Sequence, residues 1–445
     1  MTTATSVVTR LAAPVVLPCD ATCSVVRDGV VDIDADGRIS WCGPRASAPA
    51  LPGAQVHELP GLLLPGMING HCHTPMTVLR GLGGDLPLLR WLRQAMWPAE
   101  AKMTADDVRT GMLLGCVELL RAGVTTSVEM YFYTDAVAEA ALAAGSRVVL
   151  TPGIIAVPGW DRLGTWQDML ADVSARIDSL GLRYGPGERI ELGYGPHGAY
   201  TLPAHALPVI AEAARDRGAL LHIHVAETSE EDAEQRAEYG SVPQMLDQLG
   251  VLGGRVLAAH GVHLSDSDIA TLARNRVAVA HCPGSNAKLA AGVAPVPALR
   301  AAGVPIALGT DGPASSDSLD LWSVARLAGR LARLGTSDAA QLTAAELLLL
   351  STRLGAAAIG RDDLGSLEPG RWADLVHVSM DDPAFVHADD DSGVITNLVW
   401  AGCGRLVRDV WVAGEQVLAD GEPTRVDRGE TQSAARTVAV RLRPS

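Results

Sequence analysis

The sequence predicts an α/β protein: a (β/α)8 or TIM barrel with a small flanking β-sandwich formed by both chain ends. Three observations lead there. Between residues 61 and 364, eight short apolar runs alternate with longer helical patterns. Those runs are apolar on successive positions, as parallel strands buried on both faces must be. Both ends, 1–60 and 365–445, carry a different texture of apolar–polar alternation with Gly-rich breaks. A length of 445 residues suits a large barrel with an appended domain.

At the N-terminal end, 25–33 and 37–43 alternate around Asp-Gly turns, the pattern of hairpins. Residues 373–378 and 410–418 repeat it near the C-terminus, so the two ends are expected to pair into one small β domain. In the middle, the expected barrel strands are 66–71, 125–130, 148–155, 190–194, 219–224, 256–260, 277–281 and 305–311. Helical periodicity covers 104–122, 203–217 and 229–249 between them.

Composition narrows the class. A hydrophobic share of 48% against 20% charged gives ample core, and 4% aromatic leaves that core to Ala, Val and Leu. The net charge of −15 repels phosphate backbones and anionic lipid, so neither nucleic acid nor membrane is expected as a partner. A small nucleoside in a local pocket remains compatible with it. Seven scattered cysteines without a CxxC pair suggest neither a disulfide framework nor a thiolate zinc site. Met1 to Ser6 lacks the basic start of a signal peptide, and no run of 18 apolar residues occurs. A cytoplasmic location and a homo-oligomer are expected.

Chemistry in such barrels lies at the C-terminal strand ends. Eight of the twelve histidines fall there: His71, His73, His197, His222, His224, His260, His263 and His281. Glu227 and Asp311 share the rim. Singly, each has an ordinary reading: Glu227 as a helix-start acid, Asp311 as a turn residue before Gly312. Jointly they form a site. His71, His73, His224 and Asp311 offer three imidazoles and a carboxylate, the donor set of one divalent ion, Zn2+ first and Fe2+ or Mn2+ next. Such an ion activates water at neutral pH. Glu227, three residues past His224, is placed to carry a proton from that water to a substrate nitrogen. His260 is placed to polarise the water or steady developing charge. A binuclear site would need a bridging lysine at the fourth strand, where the chain has Tyr194-Gly195-Pro196-His197.

The segments Pro65-Gly66-Met67-Ile68-Asn69-Gly70-His71-Cys72-His73, His224-Val225-Ala226-Glu227-Thr228, Ala259-His260-Gly261 and Leu308-Gly309-Thr310-Asp311-Gly312 together resemble the amidohydrolase superfamily. The resemblance extends over nearly the whole chain. Met76 to Gly81, Trp97-Pro98-Ala99-Glu100 and Met130-Tyr131-Phe132 narrow it to the branch of S-adenosylhomocysteine, 5'-methylthioadenosine and related adenosine-derivative deaminases. It implies a mononuclear metal site and hydrolytic release of ammonia from C6 of an adenine nucleoside, leaving the inosine analogue. By position, it also implies that Glu100 binds ribose hydroxyls and that His197 contacts substrate.

One departure bears on the substrate. Thr151-Pro152-Gly153 stands where the readers of the homocysteine carboxylate carry an arginine, and Arg162 sits in a loop of different length from a second such arginine. Adenosine, 5'-methylthioadenosine, S-adenosylhomocysteine and other 5'-substituted adenosines all stay open. The alternative activity is a guanine, pterin or triazine deaminase or chlorohydrolase on the same metal site. A non-catalytic metal-binding protein is disfavoured, because a base beside an open ligand position serves no structural end.

Overall fold

The computed structural model describes residues 7–157 and 160–443. The reading of the N-terminus from Met1 to Ser6 lies outside them. Eight parallel strands form the barrel: β1 (Met67–Cys72), β2 (Val124–Glu129), β3 (Arg147–Leu150), β4 (Ile190–Pro196), β5 (Leu220–Val225), β6 (Arg255–His260), β7 (Ala278–His281) and β8 (Ile306–Leu308). Neighbours pair in chain order from β1 to β8. Between β8 and β1 the join is made by fewer bonds, and they fall beside the chemistry. Asp311 N–H donates to His71 O at 3.0 Å, Thr310 N–H to Asn69 Oδ1 at 3.0 Å, and Asn69 Nδ2 to Thr310 Oγ1 at 2.7 Å. Closing the barrel thus sets Asp311 against His71.

The strands are buried along nearly their whole length, which accounts for their unbroken apolar texture. Two expected elements differ in detail. The run 148–155 is split at Thr151-Pro152, because proline has no N–H for the ladder. The chain resumes at Gly153–Ile154, pairing with Gly195 and Pro196. The helical stretch 229–249 is two helices, Ser229–Tyr239 and Val242–Gln248. Gly240 at φ 96° ends the first, and the Ser241 hydroxyl caps the second by accepting from Gln244 N–H.

Both chain ends contribute to one nine-stranded sheet. Val7–Val16 pairs with Val26–Asp34, which turns through Gly37 into Ile39–Pro44. The halves meet where Leu62–Pro65 runs antiparallel to Leu375–Val378. This sheet is tied to the barrel by Arg147 at the start of β3. Its guanidinium bonds Asp374 through Nε at 2.8 Å and Nη2 at 3.0 Å, with both side chains buried. Among the described residues no helix is long and apolar enough to cross a membrane.

Candidate active site

Side chains alternate along a strand, so His71 and His73 on one side, and His222 and His224 on the other, face the barrel interior at two depths. The shallower pair opens on a pocket at the C-terminal rim, lined by His73, His224, Glu227, His260 and Asp311. The deeper pair, His71 and His222, is fully buried beneath it.

Hydrogen bonds fix how each ring is presented. His73 Nδ1 donates to Met130 O at 2.7 Å, and His224 Nδ1 to His197 O at 2.6 Å, because a carbonyl can only accept. Each therefore turns an Nε2 lone pair inward, and the two Nε2 atoms stand 3.3 Å apart. Asp311 Oδ1 lies 3.4 Å from Nε2 of both His71 and His73. That separation exceeds a good N–H···O bond and matches donors facing one common point. Asp311 itself is left-handed at φ 60°, as are Ala226 at 49° and His260 at 73°. Three such non-glycine residues around one pocket cost on the order of 1–3 kcal/mol each and are held by the surrounding ladder.

The donors fit a divalent ion. His71 Nε2 is buried with no hydrogen-bond partner. Ligand atoms of His71, His73 and His224 lie within 4.8 Å of one another, as do those of His71, His260 and Asp311. Burial holds His71 down to about 4 and His224 well below its ordinary range, so both rings are neutral donors at pH 7. For Asp311, burial opposes ionisation, but the imidazoles around it outweigh burial and hold it well below the usual carboxylate range.

Glu227 occupies the turn between β5 and the helix Ser229–Tyr239. Thr228 caps that helix, and the Glu231 carboxylate accepts the Glu227 N–H at 3.0 Å, which fixes the turn. Burial and then the nearby Asp311 charge push the Glu227 carboxyl well above its ordinary value. Its Oε1 is 3.7 Å from His260 Nε2. His260 is aimed by Asn286, whose Oδ1 accepts from Nδ1 at 2.9 Å. Asn286 lies in the short helix Pro283–Lys288, and sequence patterning offers no role for it.

In the lining of the same pocket, Glu100 is 5% exposed and accepts from the Tyr131 hydroxyl at 2.9 Å. Burial raises it to about 7, opposed by Tyr131 and Arg162. Arg162 does not enter the pocket. It donates to the Tyr133 hydroxyl and, at 2.9 Å, to the Glu100 carbonyl oxygen, and it stands 5.1 Å over the Trp160 ring. Trp91, Trp97, Phe132 and Trp160 supply apolar walls. His197 lines the pocket beside His224, with Nδ1 buried and unpartnered, and burial lowers it to about 3.

The structure thus brings His71, His73, His224, Asp311, Glu227 and His260 together and sets Glu100 and His197 around the same pocket. His263 turns away to Ala291 O at 2.8 Å, and His281 is buried outside the pocket lining.

The amidohydrolase family model matches residues 62–417, spanning both the barrel and its junction with the flanking sheet. The chain belongs to the amidohydrolase family. This amidohydrolase is 40% identical over 411 residues to a 5-methylthioadenosine/S-adenosylhomocysteine deaminase of Moorella thermoacetica, covering 91% of this chain and 93% of that one. It is 37% identical over 435 residues to a 5'-deoxyadenosine deaminase of Methanosarcina mazei, covering 96% and 97%. A solved structure described as an adenosine deaminase from Xanthomonas campestris with bound zinc superposes with a TM-score of 0.92 at 34% identity, covering 98% of each chain.

Proposed function

We propose that this amidohydrolase is a metal-dependent deaminase that hydrolyses the C6 amino group of adenine nucleosides, releasing ammonia and the inosine analogue. One observation carries the reading. A single pocket is lined by residues of an imidazole and carboxylate cluster, by Glu227, whose carboxyl burial pushes well above its ordinary value, and by the buried Glu100. A purine needs the first two and a ribose the third. The relatives named as deaminases of adenosine derivatives support the same assignment.

His71, His73, His224 and Asp311 would hold the ion, with zinc favoured by the nitrogen-rich donor set and by the zinc-bound neighbour. When bound, it supplies Lewis-acid activation of water. The side chains do the rest. Water loses two protons as its oxygen becomes the C6 carbonyl; Glu227 would relay one to ring N1 as C6 becomes tetrahedral and the other to the amine, which leaves as ammonia. His260, held by Asn286, presents Nε2 toward Glu227 and the reacting centre. His197 offers its unpartnered Nδ1 to the base, and Glu100 accepts from the 2'- and 3'-hydroxyls.

Arg162 is engaged with Tyr133 and the Glu100 backbone, and Pro152 occupies the other expected arginine position, so substrates with uncharged 5' groups are favoured. The seven cysteines, none in a disulfide, accord with a reducing cytoplasm. The test is ammonia release from adenosine, 5'-methylthioadenosine, 5'-deoxyadenosine and S-adenosylhomocysteine, with Glu227→Gln as the control. Turnover of an adenine nucleoside that E227Q abolishes supports the reading, and no ammonia from any of the four defeats it.

A further inference from the structure

His71 differs from the other two imidazoles of the cluster in how its outer nitrogen is satisfied. His73 and His224 each donate Nδ1–H to a backbone carbonyl. His71 Nδ1 instead meets a second imidazole, His222 Nε2, at 2.8 Å. Either nitrogen of that pair could carry the proton, so the pair alone does not fix which atom of His71 is free. The next two bonds do. His222 Nδ1 is 3.0 Å from Thr151 Oγ1, and Thr151 Oγ1 is 2.8 Å from the Glu129 carbonyl oxygen.

The direction of the chain follows from its end. A carbonyl oxygen cannot donate, so the single hydroxyl proton of Thr151 goes to Glu129 O. Thr151 Oγ1 then accepts from His222 Nδ1–H. Buried His222 has only a hydroxyl and a ring within hydrogen-bond reach and no carboxylate to hold a second proton, so its Nε2 is the acceptor. His71 Nδ1 must carry the proton that fills it, and His71 Nε2 is left bare toward Asp311 and His73. All three side chains are 0% exposed, so water cannot substitute for any link.

We propose that Thr151 and His222 are positioning residues that lock His71 into the tautomer with Nε2 free for a metal. The inference rests on the reading that His71 is a ligand. Thr151 follows β3 directly and precedes Pro152, where the ladder breaks. Ligand-orienting partners of this kind typically change metal affinity about 10- to 100-fold when removed.

The test is the zinc dissociation constant, measured by competition with a chromophoric chelator on the folded full-length chain. Thr151→Val keeps the shape and the methyl against Gly193 but removes the hydroxyl. Thr151→Ser keeps the hydroxyl. The expected result is about 10- to 100-fold weaker zinc binding for T151V, with T151S close to the unsubstituted protein. Equal weakening in both means packing rather than hydrogen bonding, and unchanged affinity in T151V means no relay; either overturns the proposal. Should T151V fail to fold, His222→Gln, which retains an acceptor for His71, is compared with His222→Met, which does not; affinity retained in H222Q and lost in H222M supports the relay, and equal affinity overturns it. His71→Ala is the separate arm: unaltered zinc affinity there defeats the metal reading itself, whereas its loss beside an unaffected T151V defeats only the relay.

Discussion

Replacing Glu100 by Gln tests how the pocket selects a ribose. The carboxylate is buried, held by Tyr131 OH at 2.9 Å, and lines the same pocket as Glu227. Hydrogen bonds to a charged group contribute about 1.5–3 kcal/mol each, so losing one net charged bond to the diol lowers kcat/KM roughly 10- to 150-fold. The loss belongs mainly in KM, because the diol is held equally in ground and transition states. The pH dependence gives a sharper signature. Burial raises Glu100 to about 7, so the carboxyl is mostly protonated below that pH and ionised above it. Only the ionised form accepts from both hydroxyls. The ratio of kcat/KM for 5'-deoxyadenosine to that for its 2',3'-dideoxy analogue should therefore rise through pH 7, since titrations of the reaction centre cancel in the ratio. In E100Q the ratio should be smaller and flat with pH. A ratio that E100Q leaves unchanged would refute the assignment and favour a substrate without ribose, such as a free purine, pterin or triazine.

The remaining predictions concern the base and the frame. Glu227→Gln should lower kcat by about 10²–10⁴ while zinc content, measured by elemental analysis, stays at the unsubstituted level. Arg147→Met leaves the Asp374 carboxylate buried without its cation and should cost about 3–5 kcal/mol, read as a lower urea midpoint. Gly70→Ala would place a Cβ 2.6 Å from the Ala307 Cβ, next to His71. It should destabilise by about 1–3 kcal/mol and weaken zinc binding, seen by calorimetry and chelator competition.

Much of the site is legible in the sequence, because parallel strands deliver their C-terminal ends to one rim and the chain marks those ends with histidines. His71-Cys72-His73, His224 with Glu227, and Asp311 need only strand periodicity to be brought together. What sequence patterning cannot resolve is depth and direction. His222 and His224 share a face by alternation, yet one is buried under the cluster and the other belongs to it. His263 and His281 sit at or just past strand ends and do not line the pocket: His263 is turned to Ala291 O, and His281 alternates with Ala278 and Ala280 onto the other face of β7. Asn286 and Thr151 hydrogen-bond residues distant in the chain, for which a one-dimensional pattern has no signal. In the fold, Gly240 and Pro152 break elements that hydropathy alone runs together, and both breaks carry a local cause.

The cluster of His71, His73, His224 and Asp311 is proposed to hold the metal with which adenine nucleosides are deaminated. That role is tested most directly by following ammonia release from 5'-deoxyadenosine and 5'-methylthioadenosine before chelation, after chelation and after zinc is restored. Turnover, its loss on chelation and its return with about one equivalent of zinc per chain are the expected results. Turnover that survives complete removal of metal, or none from a zinc-replete protein, would contradict it.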